Sequence, residues 1–135
     1  MTNGRMSIRA ISEEWRDAIC RGKPLTLWRL GDLLDDFRLR AATPDEKSVL
    51  VKDPPVWVDD PTHRDCNAYW AAVAETLCRE AGLEPPPWTE SPRCYLNRPW
   101  FAGSLEGLKA ILLVESPVAF RRRNLFVSAN ALARA

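Results

Sequence analysis

The segment Asp53-Pro54-Pro55-Val56-Trp57-Val58-Asp59-Asp60-Pro61 limits the fold more than any other, because proline has no amide hydrogen and pushes the residue before it out of the helical region. No helix can run through it. It reads as a linker across the surface, with helical periodicity on both sides.

Before the linker, Ile8, Ile11, Trp15, Ala18 and Ile19 recur at helical spacing over residues 7–21, and Arg9, Glu13, Arg16 and Asp17 occupy the rest of the wheel. Gly22 and Pro24 stop this amphipathic helix. A second helix is expected over residues 25–40, with Leu27, Leu30, Leu33, Leu34 and Phe37 in one stripe and Asp32, Asp35 and Asp36 facing water. Arg38 and Arg40 sit at its C-terminal end, as the helix dipole favours. Thr43-Pro44-Asp45-Glu46 combines an N-cap, a proline at the first helical position and a glutamate at the third, and so starts a short helix through about Val51.

After the linker, Trp70, Val73, Ala74, Leu77, Cys78 and Ala81 mark the longest helix, over residues 62–81, with Gly82 as its stop. It is expected to be the spine of the core. A Pro- and Trp-rich loop follows from Pro85. Ser104 then caps a helix with Leu105, Leu108, Ile111 and Leu112 inward, and Ser116-Pro117 caps a short one ending near Asn124, which suits a left-handed position. Leu125 to Val127 gives one short extended step before Ser128 and a last turn over 129–134. The fold class is therefore mostly α, a small helical bundle with a Pro/Trp-rich loop and few or no strands. The 135 residues, 46% of them hydrophobic, suffice for one domain over 1–135, with acidic N-terminal helices over 1–52 and a C-terminal part over 62–135.

Net charge is only +1, but its distribution is uneven. Residues 1–90 hold 12 Lys and Arg against 16 Asp and Glu, whereas residues 91–135 hold 7 against 2. A basic C-terminal third on an acidic body can orient a partner of complementary charge, or the two parts can pack together and neutralise each other. No signal-peptide pattern opens the chain, and no apolar run approaches the roughly 18 residues of a membrane span. A soluble, cytoplasmic protein is expected.

Chemistry-bearing residues are sparse. His63 is the single histidine, and Cys20, Cys66, Cys78 and Cys94 form no CxxC pair, so no metal, cofactor or disulfide framework is expected. The cysteines read as reduced thiols, with Cys20 and Cys78 packed on helix faces. Beside Asp60, Arg64 and Asp65, His63 could serve acid–base chemistry or be a plain turn residue. The pairs Glu13–Glu14 and Asp35–Asp36 point about 100° apart on their helices and cannot easily converge on one ion, so they and Asp59–Asp60 read as solvated faces. No catalytic constellation emerges, and the chain is not expected to be an enzyme.

Binding features are more prominent. Prolines restrict the backbone of the loop that presents Trp88, Tyr95, Trp100 and Phe101, which lowers the ordering cost of a contact there. Trp15 and Trp70 lie on apolar helix faces and read as core. Trp88 and Trp100 either clamp the loop to the body or anchor an interface. Trp28 falls off its helix's main stripe and is a candidate exposed anchor. Arg121-Arg122-Arg123 could meet an acidic partner, a nucleic acid or the chain's own acid-rich N-terminal part. The candidate partner-binding residues are thus Trp88, Trp100, Phe101, Arg121, Arg122 and Arg123.

The runs Ala81-Gly82-Leu83, Pro87-Trp88-Thr89-Glu90, Pro99-Trp100-Phe101 and Glu115-Ser116-Pro117 through Phe126 resemble a bacterial family of small helical proteins with PxWTE, PWF and ESPxAFRRRN motifs. The resemblance covers the C-terminal half of the chain. Members are usually encoded beside a nucleotidyltransferase-like protein, an arrangement similar to a toxin–antitoxin operon. The resemblance implies an antitoxin-like, non-enzymatic chain that binds such a protein. Some members extend helix-turn-helix regulators, but the first 60 residues here show no clear helix-turn-helix. A nucleic-acid-binding regulator using the arginine cluster is the alternative.

Overall fold

A computed structural model describes residues 6–23, 28–59, 63, 65–101, 116–128 and 132, with the backbone alone at Trp28 and Arg29. Expectations for Leu27, the helix capped by Ser104, the turn over 129–134, Asp60, Arg64, Glu115 and the side chain of Trp28 lie outside the described residues. The described chain is mostly helical, with one two-stranded parallel sheet.

Helix α1 spans Ile8–Cys20, capped by Ser7, and α3 spans Pro44–Lys52, beginning at the expected Thr43 cap. The Ser7 hydroxyl accepts from the Ala10 amide at 3.2 Å, and the Thr43 hydroxyl accepts from the Glu46 amide at 3.2 Å. Glu46 reaches back to accept from the Ala42 amide at 2.6 Å, closing the cap from the other side. Ile8, Ile11 and Trp15 turn inward from α1. The helix ends at Gly22, whose φ of +66° lets the Lys23 amide reach back to the Ala18 carbonyl at 2.8 Å.

Helix α2 covers Trp28–Asp35, and the next turn, Asp36–Arg40, widens to π geometry. Leu30, Leu33, Leu34 and Phe37 form the buried stripe that their spacing predicts. Asp36 corrects the expected solvated face, since it is buried at 6% exposure. Its carboxylate accepts from the Met6 amide at 2.6 Å and from Arg40 at 2.5 Å. Asp36 follows Leu33 by three residues and so borders the buried stripe, where these two hydrogen bonds satisfy its carboxylate. Leu39, at 78% exposure, is carried outward.

The proline segment is extended, as required, but it is more than a surface linker. Pro55 and Val58 are buried. The Ser12 hydroxyl on α1 accepts from the Val56 amide at 2.8 Å, and the Asn67 side chain binds both the amide (2.9 Å) and the carbonyl (2.8 Å) of Val58. Two buried polar side chains thereby supply the backbone partners that proline-bearing chain cannot find in a helix or sheet.

Helix α4, Asp65–Glu80, is the spine. Trp70, Val73, Ala74, Leu77 and Cys78 are each 0–1% exposed, and Trp70 meets Trp15 of α1 with ring centroids 4.4 Å apart. Gly82 at φ +72° ends the helix as expected, with the Leu83 amide bonded to the Cys78 carbonyl at 2.7 Å. Two 3₁₀ turns, Pro87–Glu90 and Pro92–Cys94, then carry the chain across α4. Strand β1, Trp100–Phe101, pairs in parallel with β2, Leu125–Phe126, and α5, Val118–Arg121, lies against α4 just before β2. Asn124 takes the left-handed conformation, φ +64°, as its type suggests. Core residues run from Ile8 to Leu132, and α4 contributes more of them than any other described element.

Candidate protein-interaction face

The arginine triplet divides in three. Arg121 points outward, Arg122 sits at the surface with 36% of its side chain exposed, and Arg123 is wholly buried. A four-residue helix followed by a tight turn explains this division, because successive side chains on a turn diverge by about 100°. Arg123 Nη1 donates to Glu75 Oε1 at 2.5 Å and to the Ala119 carbonyl at 2.8 Å, while Nη2 donates to the Thr89 carbonyl at 3.0 Å. Its guanidinium lies 5.2 Å from the Tyr95 ring centroid. Arg122 donates to Glu75 Oε1 at 2.8 Å, to both Glu90 oxygens at 3.2 Å, and to the Tyr95 hydroxyl at 3.0 Å. Tyr95 in turn donates to Glu90.

This network ties α4, the proline loop and the C-terminal turn together. It corrects one expectation, since Arg123 is part of the interior, while the acids that meet the triplet, Glu75 and Glu90, come from the acid-rich 1–90 part, as the internal-pairing reading expects. Burial alone would push the Glu75 carboxyl up, but hydrogen bonds from Arg123, Arg79 and Arg122 hold it below its ordinary 4.5. Glu90 is also held below 4.5, chiefly by the Tyr95 hydroxyl and then by Arg122, against a push from burial.

The loop aromatics separate in a similar way. Trp88 is a clamp: its indole Nε1 donates to the Val51 carbonyl at 2.9 Å, and its ring packs on the core and edge-on to Trp57 at 6.2 Å. Trp100 packs one side on the core and is only half-buried, with its amide donating to the Asn124 carbonyl at 2.8 Å. Phe101, half-buried, stacks on Phe126 at 5.0 Å. The structure therefore brings Trp100 and Phe101 to the same short sheet and directs Trp88 to the far side of the loop, under α3.

Trp100 also borders an open groove of about 790 Å³ between the loop after Pro92 and the start of α4. Asp59, Asp65, Arg93, Asn97 and Arg98 line it with Trp100. Arg93 bridges one wall, pairing with Asp59 at 3.3 Å and lying 5.8 Å from the Trp57 ring. Arg98 and Asn97 are exposed, and neither side chain has a hydrogen bond or ion pair among the described residues. Burial pushes the Asp65 carboxyl up, although its own backbone amide and the charge of neighbouring His63 pull it down. Sequence reasoning missed Arg98 and Asp65. Their one signal was position, an arginine directly before Pro99-Trp100 and an aspartate at a helix start.

Among the described residues, no group of three or more His, Cys, Asp or Glu is placed to hold a metal ion. None of the described helices is long and apolar enough to cross a membrane. Cys66, Cys78 and Cys94 are buried free thiols, and Cys20, expected to pack, is exposed because it ends α1 on the outer side. Comparison of the chain with protein-family models, curated proteins and solved structures returns no match.

Proposed function

We propose that this chain is a non-enzymatic, cytoplasmic protein-interaction module, and that its partner is a nucleotidyltransferase-like protein toward which it acts as an antitoxin-like component. The observation that carries the interaction reading is the groove beside Trp100, where Arg98 and a half-exposed aromatic stand on a loop fixed by prolines and by the Arg122–Glu90 network. Reduced, buried thiols suit a reducing compartment. The partner's class rests on the resemblance of the C-terminal motifs. The nucleic-acid alternative loses support from the pairing of Arg122 and Arg123 with Glu75 and Glu90, which leaves Arg121 as the outward member of the triplet.

Co-expression of the tagged chain with proteins encoded beside it, followed by affinity capture and mass spectrometry, tests this reading. Stoichiometric recovery of a nucleotidyltransferase-like protein, lost in Trp100→Ala, is the expected result. Capture of no such protein, together with salt-sensitive retention of DNA or RNA, would replace it with the nucleic-acid reading.

A further inference from the structure

We infer that the groove between the 92–100 loop and the start of α4 binds an extended peptide segment carrying one acidic and one basic side chain, the acid meeting Arg98 and the base meeting Asp65. The inference rests on the protein-interaction reading and identifies the chemistry of the contact.

The charges of the groove are not all satisfied internally. Arg93 and Asp59 pair with each other at 3.3 Å, and their exposed bridge forms one rim. Arg98 has no partner among the described residues, and at Asp65 the charge of neighbouring His63 does not offset the push of burial. One free cation and one acid set against burial, on different elements facing a common space, match a ligand that is itself dipolar. A polyanion such as nucleic acid would satisfy Arg98 but would bring like charge against Asp59 and Asp65. An arginine or lysine delivered to Asp65 would instead offset the burial that pushes its carboxyl up.

The remaining lining residues suit a polypeptide. Asn97 carries an unengaged side-chain amide, a donor and an acceptor together, which can bond both backbone groups of one passing residue as Asn67 does with Val58. Trp100 and Pro99 give a rigid apolar platform for a side chain between the two charges. The volume lies within the range of sites that enclose small ligands, which limits the contact to a short segment.

Selection of a phage-displayed random heptapeptide library on the full-length protein tests the inference, with Arg98→Glu and Asp65→Asn as comparison surfaces. Wild type is expected to enrich peptides with one Asp or Glu and one Lys or Arg flanking an apolar residue. Arg98→Glu should replace the selected acid by a base, and Asp65→Asn should lose the preference for the base, each with at least a tenfold drop in retention of the wild-type peptides. Unchanged circular dichroism would show that both variants remain folded. No enrichment on wild type, or enriched peptides indifferent to both substitutions, would overturn the inference. The co-expression capture keeps the two readings apart. A nucleotidyltransferase-like partner retained equally by wild type, Arg98→Glu and Asp65→Asn overturns the groove and leaves the proposed function standing. Charge-dependent peptide selection without such a partner supports the groove and removes the proposed partner.

Discussion

Arg123 and Glu75 meet at 2.5 Å in a place where neither side chain is more than 3% exposed, joining the C-terminal turn to the middle of α4. Taking two charges out of water is costly, and the pair persists because the Ala119 and Thr89 carbonyls and the Tyr95 ring also receive the guanidinium. Removing one partner should therefore be worse than removing both. Arg123→Met is expected to lower stability by about 3–5 kcal/mol in denaturant unfolding, since it takes the buried cation from Glu75, leaving only Arg79 and the partly exposed Arg122 there, and strips the Ala119 and Thr89 carbonyls of a donor. Glu75→Leu combined with Arg123→Met should recover part of that loss. A double mutant as unstable as the sum of the singles would show that the two side chains act independently.

The acids of this network set a pH dependence with a definite sign. Glu75 and Glu90 have folded values below their ordinary 4.5, so each contributes stability that is present above pH 4.5 and is lost as pH falls through its folded value. Asp65 works in the opposite sense, because its raised folded value makes the charged form unfavourable and stability returns as it protonates. Denaturation midpoints should hold roughly level from neutral pH to about 5 and fall in acid below 4.5. Glu75→Gln should flatten the fall, and Asp65→Asn should raise stability at pH 7. A midpoint that rises below pH 4.5 would contradict the assignment.

Thiol reactivity should separate one cysteine from three. Burial pushes Cys66 up to about 12 and Cys78 and Cys94 up to about 11, whereas Cys20 is exposed. At pH 8 the buried thiols are ionised at roughly one part in a thousand or less. Alkylation of the native protein should label Cys20 alone, with the other three labelling only after unfolding, as counted by intact-mass spectrometry. More than one fast label would mean that α4 or the 92–94 turn opens in the native state.

Trp88→Phe keeps most of the ring but removes the indole donor to the Val51 carbonyl. The expected loss is about 1–3 kcal/mol, because a partly buried carbonyl is left without that bond. Partner capture should be unaffected, since Trp88 faces α3 and Trp100 borders the groove. A stability change near zero would show that the loop is held by Trp88 packing alone.

The helices could be read from the sequence where local chemistry decides them. The cap at Thr43, the stops at Gly22 and Gly82, the left-handed Asn124 and the α4 stripe through Trp70 and Leu77 all follow from residue type and spacing. What was hidden depends on partners far along the chain. Glu75 looks like one acid among alanines, and only its meeting with Arg123, 48 residues away, explains why it faces inward. Asp36 reads by type as a solvent-facing acid, and only its meeting with the Met6 amide, 30 residues away, and with Arg40 explains its burial. Among the candidate binding residues, the sequence pattern could not divide inward from outward side chains. Trp88 and Arg123 turned inward, and Arg98, which sequence reasoning passed over, lines the groove.

Folding and the proposed recognition draw on different arginines. The direct measurement sets Arg98→Glu beside Arg123→Met, recording for each the denaturation midpoint and the retention of the partner captured by co-expression. Arg98→Glu is expected to keep the wild-type midpoint and lose at least tenfold in partner retention, while Arg123→Met shows a large fall in midpoint. Full partner retention by Arg98→Glu, or a wild-type midpoint for Arg123→Met, would contradict it.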